Sequence, residues 1–184
     1  NLSNTDLSFS DLTNSVLANA DLTNSNLEGA ILTGADLTYT GLANANLSEV
    51  DLTGTILTGA DLSNTILTNV DLSEKDLSYT NFYAANLSNT DLSFSDLTNS
   101  VLANADLTDT NLEGTILTGA DLTANRLANV DLSGRDLTNT ILKDANLLGA
   151  DLTNTILTGA DLSNTKLANV DLSGRDLTGT KLAN

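Results

Sequence analysis

An apolar residue stands at every fifth position of the chain: thirty-six leucines and Phe82 fill the thirty-seven sites from Leu2 to Leu182. On an α-helix five residues advance the chain by about 500°, so each Leu would lie about 140° round from the last and no apolar stripe would form. On a flat strand the odd spacing would send successive leucines to opposite faces, with polar residues following them into any core. The period therefore predicts a backbone that turns once in every repeat. The positions around Leu agree. Two before it stands Ala, Ser or Thr in 28 of 36 cases and Val in four more, a slot for a small inward side chain. Just before it stands Asp or Asn in 25 of 37 cases. After it come mostly Ser or Thr, then Asn or Gly, with no Pro anywhere; these are turn formers. Internal repetition on this scale outranks any local assignment of helix or strand.

The strings Ala35-Asp36-Leu37-Thr38-Tyr39 and Ala60-Asp61-Leu62-Ser63-Asn64 carry the pattern in full. On them the chain resembles the pentapeptide repeat family, of the kind common in cyanobacteria, and the resemblance runs from end to end. It implies an all-β solenoid, a right-handed quadrilateral parallel β-helix in which four pentapeptides make one coil of about twenty residues. The central Leu and the small residue two before it would point inward. On that reading residues 1–184 form a single continuous tower of roughly nine coils, about 40–45 Å long at about 4.8 Å per coil. Each buried Leu contributes on the order of 1.5–3 kcal/mol, so neither metal nor disulfide is needed to hold it.

Residues 1–38 recur as 86–123 with three changes, at Asn24/Asp109, Ser25/Thr110 and Ala30/Thr115. The chain thus divides into two homologous copies, 1–85 and 86–184. Their offset of 85 residues is four coils plus one side, so Phe9 and Phe94 are expected on adjacent sides. A second recurrence keeps whole coils: Ile-Leu-Thr-Gly-Ala-Asp-Leu begins at Ile56, Ile116 and Ile156. With it travel Lys75, Arg135 and Arg175, all in the small inward slot and all on one side of the tower. A charged head cannot stay unpaired in a narrow Leu core, so a local backbone change is expected to throw these three outward into solvent. At the seam of the copies, Phe82 is expected in the core, and Tyr79 and Tyr83 are expected on the surface as candidate partner contacts.

Charge and composition narrow the function. With 24 acids and 7 bases the net charge is −17, which repels phosphate backbones and excludes direct nucleic-acid binding. The strict recurrence of apolar residues, 40% of the chain, excludes the disorder that acidic composition alone would suggest. The sequence has neither Cys nor His. It therefore lacks the commonest general base, the commonest zinc ligand and the strongest nucleophile. Its many Ser and Thr have no His partner, and a tower filled by side chains leaves no pocket, so neither an enzyme nor a cofactor is expected. No apolar run is long enough to span a membrane. The sequence begins at Asn1; the cytoplasm is the favoured compartment, with thylakoid lumen or periplasm the alternatives if a signal peptide was removed.

One side collects carboxylates: Asp51, Asp71, Asp91, Asp131, Asp151 and Asp171, with Asn111 in the same column. Repulsion between neighbours about 4.8 Å apart is expected to disfavour their ionisation. Such a ladder offers few oxygens to any one Ca²⁺. A column of hydroxyls from Thr38 to Thr178 resembles an ice-binding face, although its neighbours vary. The resemblance also implies a DNA mimic acting on gyrase as one known activity, since −17 over that length is about one charge per 2.5 Å against one per about 1.7 Å in duplex DNA. Residues 1–100 carry −12 and residues 101–184 only −5. The expectation drawn from all this is a non-enzymatic rigid scaffold that binds an unknown protein partner, with the acidic DNA mimic and an ice- or metal-binding face as alternatives. Candidate contacts are the six aspartates, Lys75, Arg135, Arg175, Tyr79 and Tyr83. Terminal coils with open edges would add weak end-to-end self-association.

Overall fold

The structure, a computed structural model, describes residues 1–182. The typical repeat has a bridge residue, an inward Leu and a turn of two residues; Asn1, Asp171 and Asp176 carry no bridge. The second turn residue has a positive φ in every repeat, twenty-five times a non-glycine residue and eleven times Gly. One left-handed residue at this place is the type II pattern, which Asn and Gly adopt at least cost. The turn closes on the Leu carbonyl, as in Ser15 N–H to Leu12 O at 3.1 Å. The Asp before Leu locks it from outside: Asp11 Oδ1 accepts the Thr13 N–H at 3.0 Å and the Thr13 hydroxyl at 2.6 Å. The recurrent Asp-Leu-Ser/Thr is thus an Asx turn in every repeat that carries it.

Bridges pair each residue with the one twenty further on, always in parallel: Asp6 with Asn26, Asp11 with Ile31, Val16 with Asp36, Asp21 with Gly41. A period of five and a coil of twenty give a parallel β-helix with four sides, named here by the bridge residues Asp71, Asp76, Asn81 and Asn86. Leu12 N–H donates up to Ile31 O at 2.8 Å and Ile31 N–H returns to Ser10 O at 2.9 Å. The bridges Asp71–Asp91, Asp76–Asp96 and Asn81–Val101 carry the ladder across the seam of the copies. Leucines from Leu22 to Leu162 fill the axis, and Phe82 takes its place among them fully buried. Threonine hydroxyls in the small inward slot bond Leu carbonyls, either in their own turn (Thr65 to Leu62 O, 2.6 Å) or one coil back (Thr80 to Leu57 O, 3.1 Å), whereas the Ser25 and Ser100 hydroxyls are buried without a partner.

The inward cations depart from expectation. No backbone change expels them: the turn residues before Lys75, Arg135 and Arg175 have φ of 57°, 68° and 68°, like the rest. All three side chains stay half-buried. Lys75 Nζ donates to Leu52 O at 2.7 Å and Arg135 Nε to Leu112 O at 3.1 Å. These acceptors lie twenty-three residues back, the same relation that serves Thr80. A carbonyl within reach removes the reason for the head to leave. What yields instead is the ladder. Among the described residues the pairs Asp51–Asp71, Ile56–Asp76, Asp106–Arg126, Asn111–Asp131, Ile116–Asp136, Asp151–Asp171 and Ile156–Asp176 form no bridge.

Candidate interaction face

The six aspartates do share one side, and the ladder joins Asp71 to Asp91, Asp91 to Asn111 and Asp131 to Asp151. Each accepts the N–H two residues on, from Thr53, Ser73, Ser93, Ser133, Thr153 or Ser173, at 2.8–2.9 Å. One carboxylate oxygen is therefore committed to the turn, and at Asp51 the other accepts the Thr33 hydroxyl at 3.1 Å. At Asp51, Asp71, Asp131 and Asp171 the geometry works against the expected suppression of ionisation. The Thr53 N–H and hydroxyl hold Asp51 below the ordinary carboxylate value, with help from Thr33. The Ser73 hydroxyl and N–H do the same for Asp71, Ser133 for Asp131 and Ser173 for Asp171. Donors at hydrogen-bond distance outweigh like charges a coil apart in water. Asn111 also breaks the run of charge, donating from Nδ2 to Asp91 Oδ1 at 3.1 Å.

Where the ladder fails, clefts open. One of about 560 Å³ is lined by Asp51, Asp71, Glu74, Lys75, Asp76 and the exposed Ile56, among others. Burial pulls the Lys75 amine below its ordinary pKa, while Asp71 and Asp51 push the other way. A second, of about 540 Å³, gathers Asp131, Arg135, Asn111, Glu113 and Phe94. At Arg175 the Nε is buried without a partner. Among the described residues Lys181–Asp161, at 3.0 Å, is the one ion pair. The structure so brings Asp51, Asp71 and Lys75 together, and Asp131 with Arg135. Tyr79 and Tyr83 lie in neither cleft.

Both tyrosines are exposed, Tyr79 at 63%. The candidate contacts drawn from the sequence did not include Phe9, Tyr39 and Phe94, which are exposed in the same left-handed turn position as Tyr79. Phe9, Tyr39 and Phe94 each lean over a glycine twenty residues on, Gly29, Gly59 and Gly114, where an added Cβ would strike the ring. That aromatic-then-glycine offset of one coil was the available signal. Also missed was Asn125, a buried inward residue whose Nδ2 bonds Leu102 O at 3.0 Å. In the hydroxyl column, Thr38 and Ser78 bond the aspartate of their own turn, Asp36 and Asp76, at 2.6 and 2.5 Å. Among the described residues no group of three or more acidic side chains is arranged to hold a metal ion, and no helix is long and apolar enough to cross a membrane.

Repeats of five, coils of twenty and an unbroken Leu axis define a parallel β-solenoid with four sides. The chain belongs to the pentapeptide repeat family. It matches the family described as Pentapeptide repeats, in eight copies, over residues 1–38, 45–82, 66–104, 76–119, 105–144 and 145–184. Among solved structures it is similar to HetL, a pentapeptide repeat protein involved in heterocyst differentiation regulation in the cyanobacterium Nostoc sp.. Identity there is 32% over 99% of this chain and 87% of that one, with a TM-score of 0.61. It also shares its fold with QnrB1, a plasmid-mediated fluoroquinolone resistance protein, at 18% identity over 92% of this chain and 89% of that one, TM-score 0.58. No curated protein matches the chain.

Proposed function

We propose that this protein is a non-enzymatic interaction scaffold, a single continuous right-handed tower of roughly nine coils over residues 1–184. Its Asp71 side receives a basic surface of a protein partner. The observation that carries this reading is the column Asp51, Asp71, Asp91, Asp131, Asp151 and Asp171 on one side of the tower, where the turn donors keep Asp51, Asp71, Asp131 and Asp171 charged. Lys75, Arg135 and Arg175 recur beside it at whole-coil spacing, and Tyr79 and Tyr83 supply apolar contact at the seam.

Replacing all six aspartates by Asn removes the charge and keeps the turn, because Asn46 Oδ1 accepts the Ser48 N–H at 3.1 Å in the same way. In affinity capture from source cells, the partner of the native chain is expected to be lost with this variant. It should be retained with the control Asp21, Asp61, Asp121 and Asp161→Asn on the Asn81 side. Equal capture by both variants would overturn the assignment of the side. A second reading, the acidic DNA mimic, draws support from the same charged column and is strongest in residues 1–100. It predicts salt-sensitive inhibition of gyrase supercoiling, whereas the scaffold predicts none.

A further inference from the structure

The ladder is interrupted at three interfaces, each bordering an inward cation; at the Arg135 interface the gap also takes in Asp106–Arg126 on the Asn86 side. Below Lys75 the bonds Leu52 N–H to Asp71 O, Gly54 N–H to Ser73 O and Leu57 N–H to Asp76 O are absent among the described residues, although their counterparts one coil down are all made: Leu32 to Asp51 at 2.9 Å, Gly34 to Thr53 at 2.8 Å and Leu37 to Ile56 at 2.9 Å. The same positions are vacant below Arg135 and Arg175. Above Lys75 the ladder resumes with Asp71–Asp91 and Asp76–Asp96, and above Arg135 with Asp131–Asp151 and Asp136–Ile156. The disturbance is therefore one-sided, on the face toward which the cation reaches for its carbonyl.

The glycines give an independent measure of the opening. A Cβ on Gly54 would lie 3.7 Å from Gly34, and one on Gly179 would lie 3.6 Å from Gly159. A Cβ on Gly134 or Gly174, each beside an inward Arg, would meet nothing within 4 Å. Meanwhile the Asn81 side of every interrupted interface stays closed, with Asp61–Asn81, Asp121–Ile141 and Asp161–Lys181 all bridged; the Asn86 side is bridged at Asn46–Ile66 and Asn146–Lys166 but not at Asp106–Arg126.

We infer that Lys75, Arg135 and Arg175 are steric wedges that divide the tower into stacked blocks and bend it at three places, with the Asp71 and Asp76 sides convex and, at Arg135, the Asn86 side open with them. Thr reaches the carbonyl one coil back within the normal spacing; Lys and Arg carry a longer stem along the same path and hold the coils apart. Because all three wedges stand in one column, their bends add instead of cancelling. They lie three coils and then two coils apart, so the convex side is cut into segments of unequal length. This inference concerns shape and local opening and stands whether or not the acidic side binds a partner.

Amide hydrogen exchange on the whole chain, read residue by residue, tests it. The amides of Leu52, Leu57, Leu112, Leu117, Leu152 and Leu157 are expected to exchange at least about a hundredfold faster than those of Leu32, Leu37, Leu92 and Leu97. The triple variant Lys75→Thr, Arg135→Thr, Arg175→Thr should abolish the difference and lengthen the particle in small-angle scattering. Thr already occupies this column at Thr55, Thr115 and Thr155, so the variant keeps the repeat's own residue. Lys75→Met keeps the stem and loses the donor, and its interface should stay open. Equal exchange at the two sets of amides in the native chain would overturn the inference. So would a triple variant that exchanges like the native chain, or a Met variant that closes.

Discussion

Lys75 and Thr80 occupy consecutive inward slots of one coil and reach for equivalent acceptors, Leu52 O and Leu57 O. Thr80 is fully buried and its side of the tower is intact, with Asn81 bridged to Asp61 below it. Around Lys75 the bridges to the coil below are missing and a cleft takes their place. The two slots present the same backbone and the same kind of hydrogen bond, so neither turn geometry nor unmet polarity explains the difference. Side-chain length does. The carbonyls of the tower itself serve the inward polar groups that reach them, Thr80 and Lys75 alike. The constraint such a residue then meets is the spacing of the coils.

The largest expected effect lies in the core on either side of that contrast. Leu92 is fully buried in an intact region, and Leu92→Ala is expected to cost about 2–5 kcal/mol, since neighbours cannot collapse into the void. Leu52 is nearly as well buried but lines the cleft. There water can enter the space left by Leu52→Ala, and the loss should be smaller by about 1 kcal/mol or more. Urea denaturation of both variants measures the difference; equal losses would mean that the cleft does not relieve packing.

A smaller contrast is available at the turns. Gly59 has φ +69° and lies under the Tyr39 ring, while Gly134 has φ +68° and nothing near its missing Cβ. Alanine at Gly134 should cost only the left-handed strain, about 1–2 kcal/mol. Alanine at Gly59 should cost that and the displacement of the ring as well. If thermal unfolding places the two variants together, Tyr39 moves aside freely and the aromatic-over-glycine pairing has no structural weight.

Much of this architecture is legible in the sequence, and the legible part is the part that repeats. The fivefold Leu excludes helix and flat strand, the small slot two before it marks the inside, and Asn or Gly after it marks the turn. Phe82 reads as core because it keeps the Leu register. The fate of Lys75 was not legible in the same way. The sequence shows a charge at an inward slot, and burial rules say that such a charge must leave or pair. Only the fold shows that a Leu carbonyl twenty-three residues back is waiting there. The aspartate column was misread for a related reason. Counting like charges along a ladder predicts suppressed ionisation, but each carboxylate's nearest neighbours are donors of its own turn, two residues away in the chain. Both errors came from treating a side chain by its column and not by the backbone groups it meets.

The smallest expected effect is electrostatic and belongs to the intact set. Asp161 and Lys181 are joined across a closed interface, Asp161–Lys181 being both a bridge and an ion pair at 3.0 Å. The Ser163 hydroxyl and N–H, then the Lys181 ammonium, bring the Asp161 pKa down to about 2. An unfolded Asp titrates near about 3.9. Since the folded value is the lower one, the stabilisation is fully present above about pH 4 and is lost as pH falls through about 2. Lys75 runs the other way in a different window. Its folded pKa lies below the ordinary Lys value, so the folded chain sheds that proton first and stability rises as pH climbs toward about 10.4. The Asp161–Lys181 pair thus weakens in acid, and the Lys75 amine adds a gain in alkali. The Lys181 pair is mostly solvent-exposed on the lysine side, so Lys181→Ala should cost no more than about 1 kcal/mol at neutral pH, and the loss should shrink with added salt. Thermal midpoints of the native chain, Lys181→Ala and Lys75→Thr, followed from acid to alkali, separate the two contributions. An alkaline rise that survives in Lys75→Thr would show that some group other than the wedge produces it.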